Sequence, residues 1–230
     1  MPLFSPLQSW IERKDALRGF VNIDVKQPNH EFGAFLGLDF SVPFHEAGRL
    51  EAQSLDASWA KTDLYVRRSL EIIGAQGPLW LDRKEVEMIV STLGPPPPAC
   101  YPMYIVTVGT QQDERAVYVG KTSAKVRRFQ SGHQVATKLH APKYDGLQKR
   151  IYQGCITLLS DEEDYLPLEW IHPLTSADTI LRSAEAQLIY DIQPELNTHH
   201  RKTCNASVPI RLHIQNFSGT ELLNDHFISP

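Results

Sequence analysis

Four consecutive prolines, Pro95-Pro96-Pro97-Pro98, follow Gly94. Each fixes φ and removes an amide donor, so this run can enter neither a helix interior nor a central strand. It favours an extended spacer instead. The expected organisation is an N-terminal region over 1–94, a proline-rich linker over 95–98, a core over 99–204 and an extension over 205–230. The proline run is the low-complexity segment, and no internal repeat is evident.

The N-terminal region reads as mainly helical. Ser5-Pro6 has the form of a cap followed by a first-turn proline and predicts a helix over Leu7–Leu17. Leu55, Trp59, Leu64, Val66, Leu70 and Ile73 recur at three- and four-residue steps within 44–73. Asp82 and Glu85 have capping-box spacing ahead of Val86, Ile89, Val90 and Leu93. The segment 20–42 is ambiguous: 32–40 is apolar enough for a strand, but its glycines weaken that reading.

Beyond the prolines the pattern alternates. Tyr101–Gly109 and Ala116–Gly120 read as strands, and the polar turn 110–114 between them predicts an antiparallel hairpin. Helices are expected over Ser123–Gln130, with Ser123 as its cap, and over Leu147–Tyr152. Strands are expected over Cys155–Leu159 and Leu168–His172. Ser176–Ile192 is the clearest helix, with Ile180, Leu181, Ala184, Leu188 and Ile189 on one face and Pro194 beyond its end. Val208–Ile214 alternates as a late strand. The predicted class is α+β: a small central antiparallel or mixed sheet flanked by helices, with a mainly helical N-terminal extension.

Composition bounds the function. At 230 residues and 42% hydrophobic, the chain can bury a core. No apolar run approaches the roughly 20 residues of a membrane-spanning helix. Met1–Ser5 lacks a charged region leading into an apolar core, so no secretory signal is expected. Cys100, Cys155 and Cys204 have no metal-ligand spacing. The expectation is a cytoplasmic protein with reduced thiols. Net charge is −4, yet Arg115, Lys121, Lys125, Arg127, Arg128, Lys138, Lys143, Lys149 and Arg150 crowd a window in which Asp145 is the lone acid between 115 and 150. A local field of that sign attracts phosphates even on an acidic chain.

Several residues then fall into an ordered set. Pro102-Met103-Tyr104 opens the first strand of the hairpin, and Tyr118-Val119-Gly120-Lys121 closes the second. Arg127-Arg128 follow, then Glu185 in the long helix, then Pro194-Glu195-Leu196-Asn197. Across 101–200 this set resembles the GIY-YIG nuclease domain. Tyr104 and Tyr118 match its two motif tyrosines. Arg128 matches its arginine, with Arg127 as the alternative one residue away. Glu185 matches its metal-binding glutamate, and Asn197 matches its asparagine. The departures are Pro102 in place of glycine and Met103 in place of isoleucine.

The resemblance implies a metal-dependent DNA endonuclease. Hydrolysis of a phosphodiester needs an activated water, stabilised equatorial oxygens and a neutralised leaving alkoxide. Glu185 supplies a hard oxygen ligand for one Mg²⁺ or Mn²⁺. Arg128 supplies a planar, permanently charged donor to the phosphate. Tyr104 is the candidate general base or water-orienting phenol, and Tyr118 the second phenol at the water or phosphate. An unaided phenol has a pKa near 10 and needs a neighbouring charge to act at neutral pH. His133 is the candidate proton acceptor, with His140 as the alternative. Asn197 orients the site or the turn after Pro194. Lys121, Lys125, Arg127, Lys149, Arg150, Arg201 and Lys202 are the expected phosphate-binding residues.

Double-stranded DNA is the expected partner. The compact chain, with no zinc-finger spacing, points to a sequence-specific restriction or defence enzyme. A palindromic site would call for a homodimer. The competing expectations are a structure-specific repair or mobile-element nuclease, and a nucleic-acid-binding module that keeps the fold without the chemistry.

Overall fold

The computed structural model describes residues 5–25, 32–49, 54–75, 80–122, 134–159 and 165–230. The first helix is a single turn, α1 (Gln8–Ile11), shorter than the Leu7–Leu17 helix expected. Arg13 has positive φ just beyond it, which ends the helical path. A two-residue strand β1 (Val21–Asn22) follows. The ambiguous segment resolves as a long strand, β2 (Phe32–Pro43).

Helix α2 (Leu55–Ile73) is capped by Ser54, whose Oγ accepts from the Ala57 amide at 3.4 Å, and ends at Gly74 in the left-handed region. Helix α3 (Arg83–Leu93) opens on the Asp82–Glu85 capping box. Its two reciprocal bonds, 2.7 and 2.8 Å, satisfy amides that the first turn leaves unpaired.

After the prolines come β3 (Met103–Val108), β4 (Arg115–Lys121), a short helix α4 (Gln134–Lys138) and β5 (Lys149–Leu159). Then follow β6 (Tyr165–Pro167), β7 (Ile171–His172), α5 (Leu174–Ile192), β8 (Ile210–Asn216) and β9 (His226–Ile228).

The main sheet runs β4-β3-β5-β2-β8-β9, with β6 paired to β5. The β3–β4 hairpin is antiparallel, with Tyr104 opposite Gly120 and Val106 opposite Tyr118. β2 pairs antiparallel with β5 and parallel with β8, which makes the sheet mixed. β1 and β7 form a separate parallel pair. The fold is therefore α+β, a central mixed sheet flanked by helices, as expected.

Two local readings are corrected. Residues 147–152 do not form a helix: 149–152 open β5, where Ile151 and Tyr152 are wedged between β3 and β2. Pairing on both sides outweighs the local helical preference. Residues 168–172 are a turn of 3₁₀ helix followed by β7, rather than one strand. The long helix begins at Leu174, two residues before the expected start at Ser176. The Ser176 hydroxyl is instead bonded to the Ile23 carbonyl at 2.8 Å. The helix expected over 123–130 lies outside the described residues.

Helix α5 packs on one face of the sheet, with α2 beside it and α3 against α2. Leu36, Leu38, Ile105, Val119, Ile156 and Leu212 meet Val66, Ile89, Ala184 and Leu188 there. Each fully buried aliphatic side chain contributes roughly 1.5–3 kcal/mol. The opposite face carries a smaller cluster, with Tyr104, Val106, Ile151, Val135, Leu139, Tyr144 and Leu196.

The proline run lies along α2. The Tyr65 hydroxyl donates to the Gly94 carbonyl at 2.9 Å. At the other end, the buried Glu169 carboxylate accepts from the Ser58 hydroxyl at 2.7 Å and the Cys100 amide at 2.9 Å. The spacer is thus pinned to the body at both ends.

Candidate active site

Residues directly opposite one another in a sheet project to the same face. Tyr104, opposite Gly120, and Tyr118, opposite Val106, therefore share the face turned away from α5. Their rings stack with centroids 5.9 Å apart and an interplanar angle of 26°. Tyr104 is fully buried and Tyr118 half-buried.

Gly120 makes room for this pair. A Cβ at this position would lie 2.7 Å from the Tyr104 hydroxyl and 2.7 Å from the Tyr118 ring. The glycine of the Tyr-Val-Gly motif is therefore a floor beneath two phenols, and the need is steric rather than conformational.

β4 ends the order of the main sheet, so its outer backbone groups require partners. The turn after α5 supplies them. The Leu196 amide donates to the Val117 carbonyl at 2.9 Å. Asn197 Oδ1 accepts from the Val119 amide at 2.9 Å, and Asn197 Nδ2 donates to the Val119 carbonyl at 2.8 Å. Val119 lies between Tyr118, one of the stacked phenols, and Gly120, the floor beneath both. Asn197 thus acts as a strand-like partner for the very segment that carries them.

Salt bridges fasten the same turn. Glu195 meets Lys143 at 2.5 Å and Arg115 at 3.7 Å. The hydrogen bond from Lys143 is the main influence holding the Glu195 carboxyl below its ordinary range. Lys138 Nζ donates to the Leu196 carbonyl at 3.1 Å.

On the other face, α5 packs along β4. Lys121 stands opposite Met103 and shares the α5 side of the sheet. Its Nζ meets Asp178 Oδ1 of α5 at 3.0 Å, while Arg182 holds Asp178 Oδ2 at 2.7 Å. Glu185 follows Asp178 by seven residues, which returns it to nearly the same stripe of the helix about 10 Å further along. It is half-buried between fully buried neighbours, Ala184 and Ala186.

Among the described residues, no three His, Cys, Asp or Glu side chains gather as a metal site. A single carboxylate suits a hard divalent ion that keeps most of its shell as water and phosphate oxygens. Glu185 is carried by α5, which packs on the face of the sheet opposite the stacked phenols.

The remaining expected positions divide by place. Lys125, Arg127, Arg128 and His133 lie outside the described residues. His140 is exposed beside a groove of about 540 Å³ that Phe44, Ala47 and Lys149 also line. Lys149 Nζ donates to the Tyr144 carbonyl at 2.9 Å, and Arg150 donates to Ser41 Oγ at 2.9 Å. Both cations are thus engaged within the fold. Arg201 and Lys202 line a cleft of about 520 Å³ with Gln187, Tyr190 and Asp191, toward the opposite end of α5 from Asp178.

Asp178 and the Glu195–Lys143 pair were not anticipated from the sequence. An acid near the start of α5 carries no local mark of its partner, since Lys121 lies 57 residues earlier.

No protein-family model matches the chain significantly, nor does any curated protein or solved structure. Among the described residues, no helix is long and apolar enough to cross a membrane.

Proposed function

We propose that this chain is a metal-dependent DNA endonuclease that hydrolyses phosphodiester bonds. The observation that carries this reading is the stacked Tyr104–Tyr118 pair over Gly120, on an edge strand held by Asn197. Two adjacent phenols on fixed strands offer oxygen donors and acceptors at a preset spacing, the kind of preorganisation that water activation requires. A divalent ion bound at Glu185 would supply Lewis acidity toward the phosphate and a more acidic water. Within the chain, the tyrosines orient the nucleophile, Arg128 or Arg127 binds the phosphate, and His133 or His140 takes up the proton.

The finer assignment is a restriction-type enzyme acting on duplex DNA as a homodimer. A mixed panel of plasmid, branched and damaged DNA, incubated with Mg²⁺, Mn²⁺ or EDTA, tests it. Discrete fragments from intact duplex that disappear with EDTA support the proposal. Cutting confined to branched or damaged DNA replaces it with a repair-type activity.

The complete burial of Tyr104 favours a second reading, a nucleic-acid-binding module that retains the fold without cleavage. Binding to DNA with no cutting under any metal condition would establish that alternative.

A further inference from the structure

We infer that Asp178 is a positioning residue of this site, acting through Lys121. The inference rests on the nuclease reading above and adds to it a residue outside the motif set. Lys121 directly follows the Tyr118-Val119-Gly120 segment, so its backbone is fixed by the strand that carries one phenol and the floor of both. Its side chain is only 15% exposed, while that of Asp178 is 28% exposed. A largely desolvated ammonium is stable only beside a counter-charge. Asp178 provides it at 3.0 Å.

Asp178 is itself held from both sides. Burial alone would push its carboxyl up, but Arg182 and Lys121 outweigh that effect and keep it below its usual range. It is therefore a charged, two-point anchor at neutral pH. Arg182 fixes one oxygen from within α5, and the other oxygen is aimed at the end of β4. The contact joins the strand bearing the phenols to the helix bearing Glu185, and Asp178 and Glu185 occupy one stripe of that helix. Asp178 thereby sets both the direction of the Lys121 ammonium and the seating of the Glu185 helix against the tyrosine strand.

This role has a kinetic signature that ordinary structural support lacks. Removing the Asp178 charge leaves DNA with one more effective cation to bind, so affinity holds or rises. Turnover falls because α5, and Glu185 with it, is no longer seated against the end of β4. Loss of fold would instead lower both.

The test uses the full chain and supercoiled plasmid DNA. Cleavage is followed in Mg²⁺, binding is measured in Ca²⁺, and thermal melting reports the fold. Asp178→Asn should cut about tenfold or more slowly, with unchanged or tighter binding. Asp178→Glu should recover part of the rate. In the Lys121→Ala background, Asp178→Asn should cause no further loss, because the two act as one unit. Asp178→Ser takes its place if the Asn variant does not melt cooperatively.

Wild-type turnover in Asp178→Asn, or losses that multiply in the double variant, overturns the inference while leaving the nuclease reading intact. A wild-type protein that cuts no DNA in any metal overturns the nuclease reading and this role with it.

Discussion

Asn197 is bonded to both backbone groups of Val119, accepting from its amide at 2.9 Å and donating to its carbonyl at 2.8 Å. A side-chain amide that meets a strand edge in this way reproduces the pairing of one residue of a neighbouring strand. Asn197→Ala should cost about 1–3 kcal/mol, because it orphans two backbone groups at a buried edge. Asn197→Asp keeps the acceptor but sets a carboxylate oxygen against the Val119 carbonyl, so it should not restore stability. Urea unfolding of the three proteins distinguishes these outcomes. Equal midpoints would show that the turn docks without the amide.

Gly120→Ala tests the floor beneath the phenols. The added methyl group meets both rings, and overpacking of this kind costs about 1–3 kcal/mol. Tyr118→Ala in the same chain should return part of that loss by removing one ring. A double-mutant cycle in denaturant measures the coupling. Independent effects would place the clash elsewhere.

Glu185→Ala should abolish metal-dependent cleavage while leaving DNA binding largely intact, since it removes a metal ligand rather than basic surface. Gel-based cleavage and a binding titration on the same preparation read both quantities. Retained cutting removes Glu185 from the mechanism. Tyr104→Phe should slow turnover without unfolding the chain, and wild-type turnover would reduce Tyr104 to a packing residue.

Glu169→Ala should destabilise the join between α2 and the segment after the prolines. It leaves the buried Ser58 hydroxyl and Cys100 amide without their carboxylate acceptor. Each orphaned group costs about 1–3 kcal/mol. Glu169→Gln retains an acceptor oxygen and should lose less. Thermal melting ranks the variants, and identical curves would show that the join does not depend on the Glu169 carboxylate.

Glu195 predicts a pH dependence of stability. Its folded-state carboxyl is held low, chiefly by Lys143. A depressed pKa contributes stability above the unfolded value, which lies near about 4.3, and that contribution is lost as pH falls through the folded value. Wild type should therefore melt above Glu195→Gln at neutral pH, and the gap should close in acid. Lys143 is 55% exposed, so added salt should narrow the gap as well. A gap independent of pH would assign the stabilisation to something other than the charge.

Local signals were legible where a few adjacent residues carry the cause. The Asp82–Glu85 capping box, the 103–121 hairpin and the α5 helix all follow from short-range chemistry and appear within two residues of where the sequence places them. The tyrosine, glycine, glutamate and asparagine positions were visible as an ordered set. Their physical relations were not: nothing in Tyr-Val-Gly states that its glycine underlies both phenols.

What the sequence by itself determined is the α+β class, the strand-turn-strand unit and the identity of the residues at issue. Tertiary structure decided their partners. Residues 149–152 became strand because β3 and β2 pair with them on either side. β2 took a place inside the sheet, between β5 and β8, although more than 160 residues separate its end from β8. Lys121 found Asp178, and Asn197 found Val119, across 57 and 78 residues. Hydrogen bonds and ion pairs depend on distance in space, and only the folded chain brings such remote positions within reach.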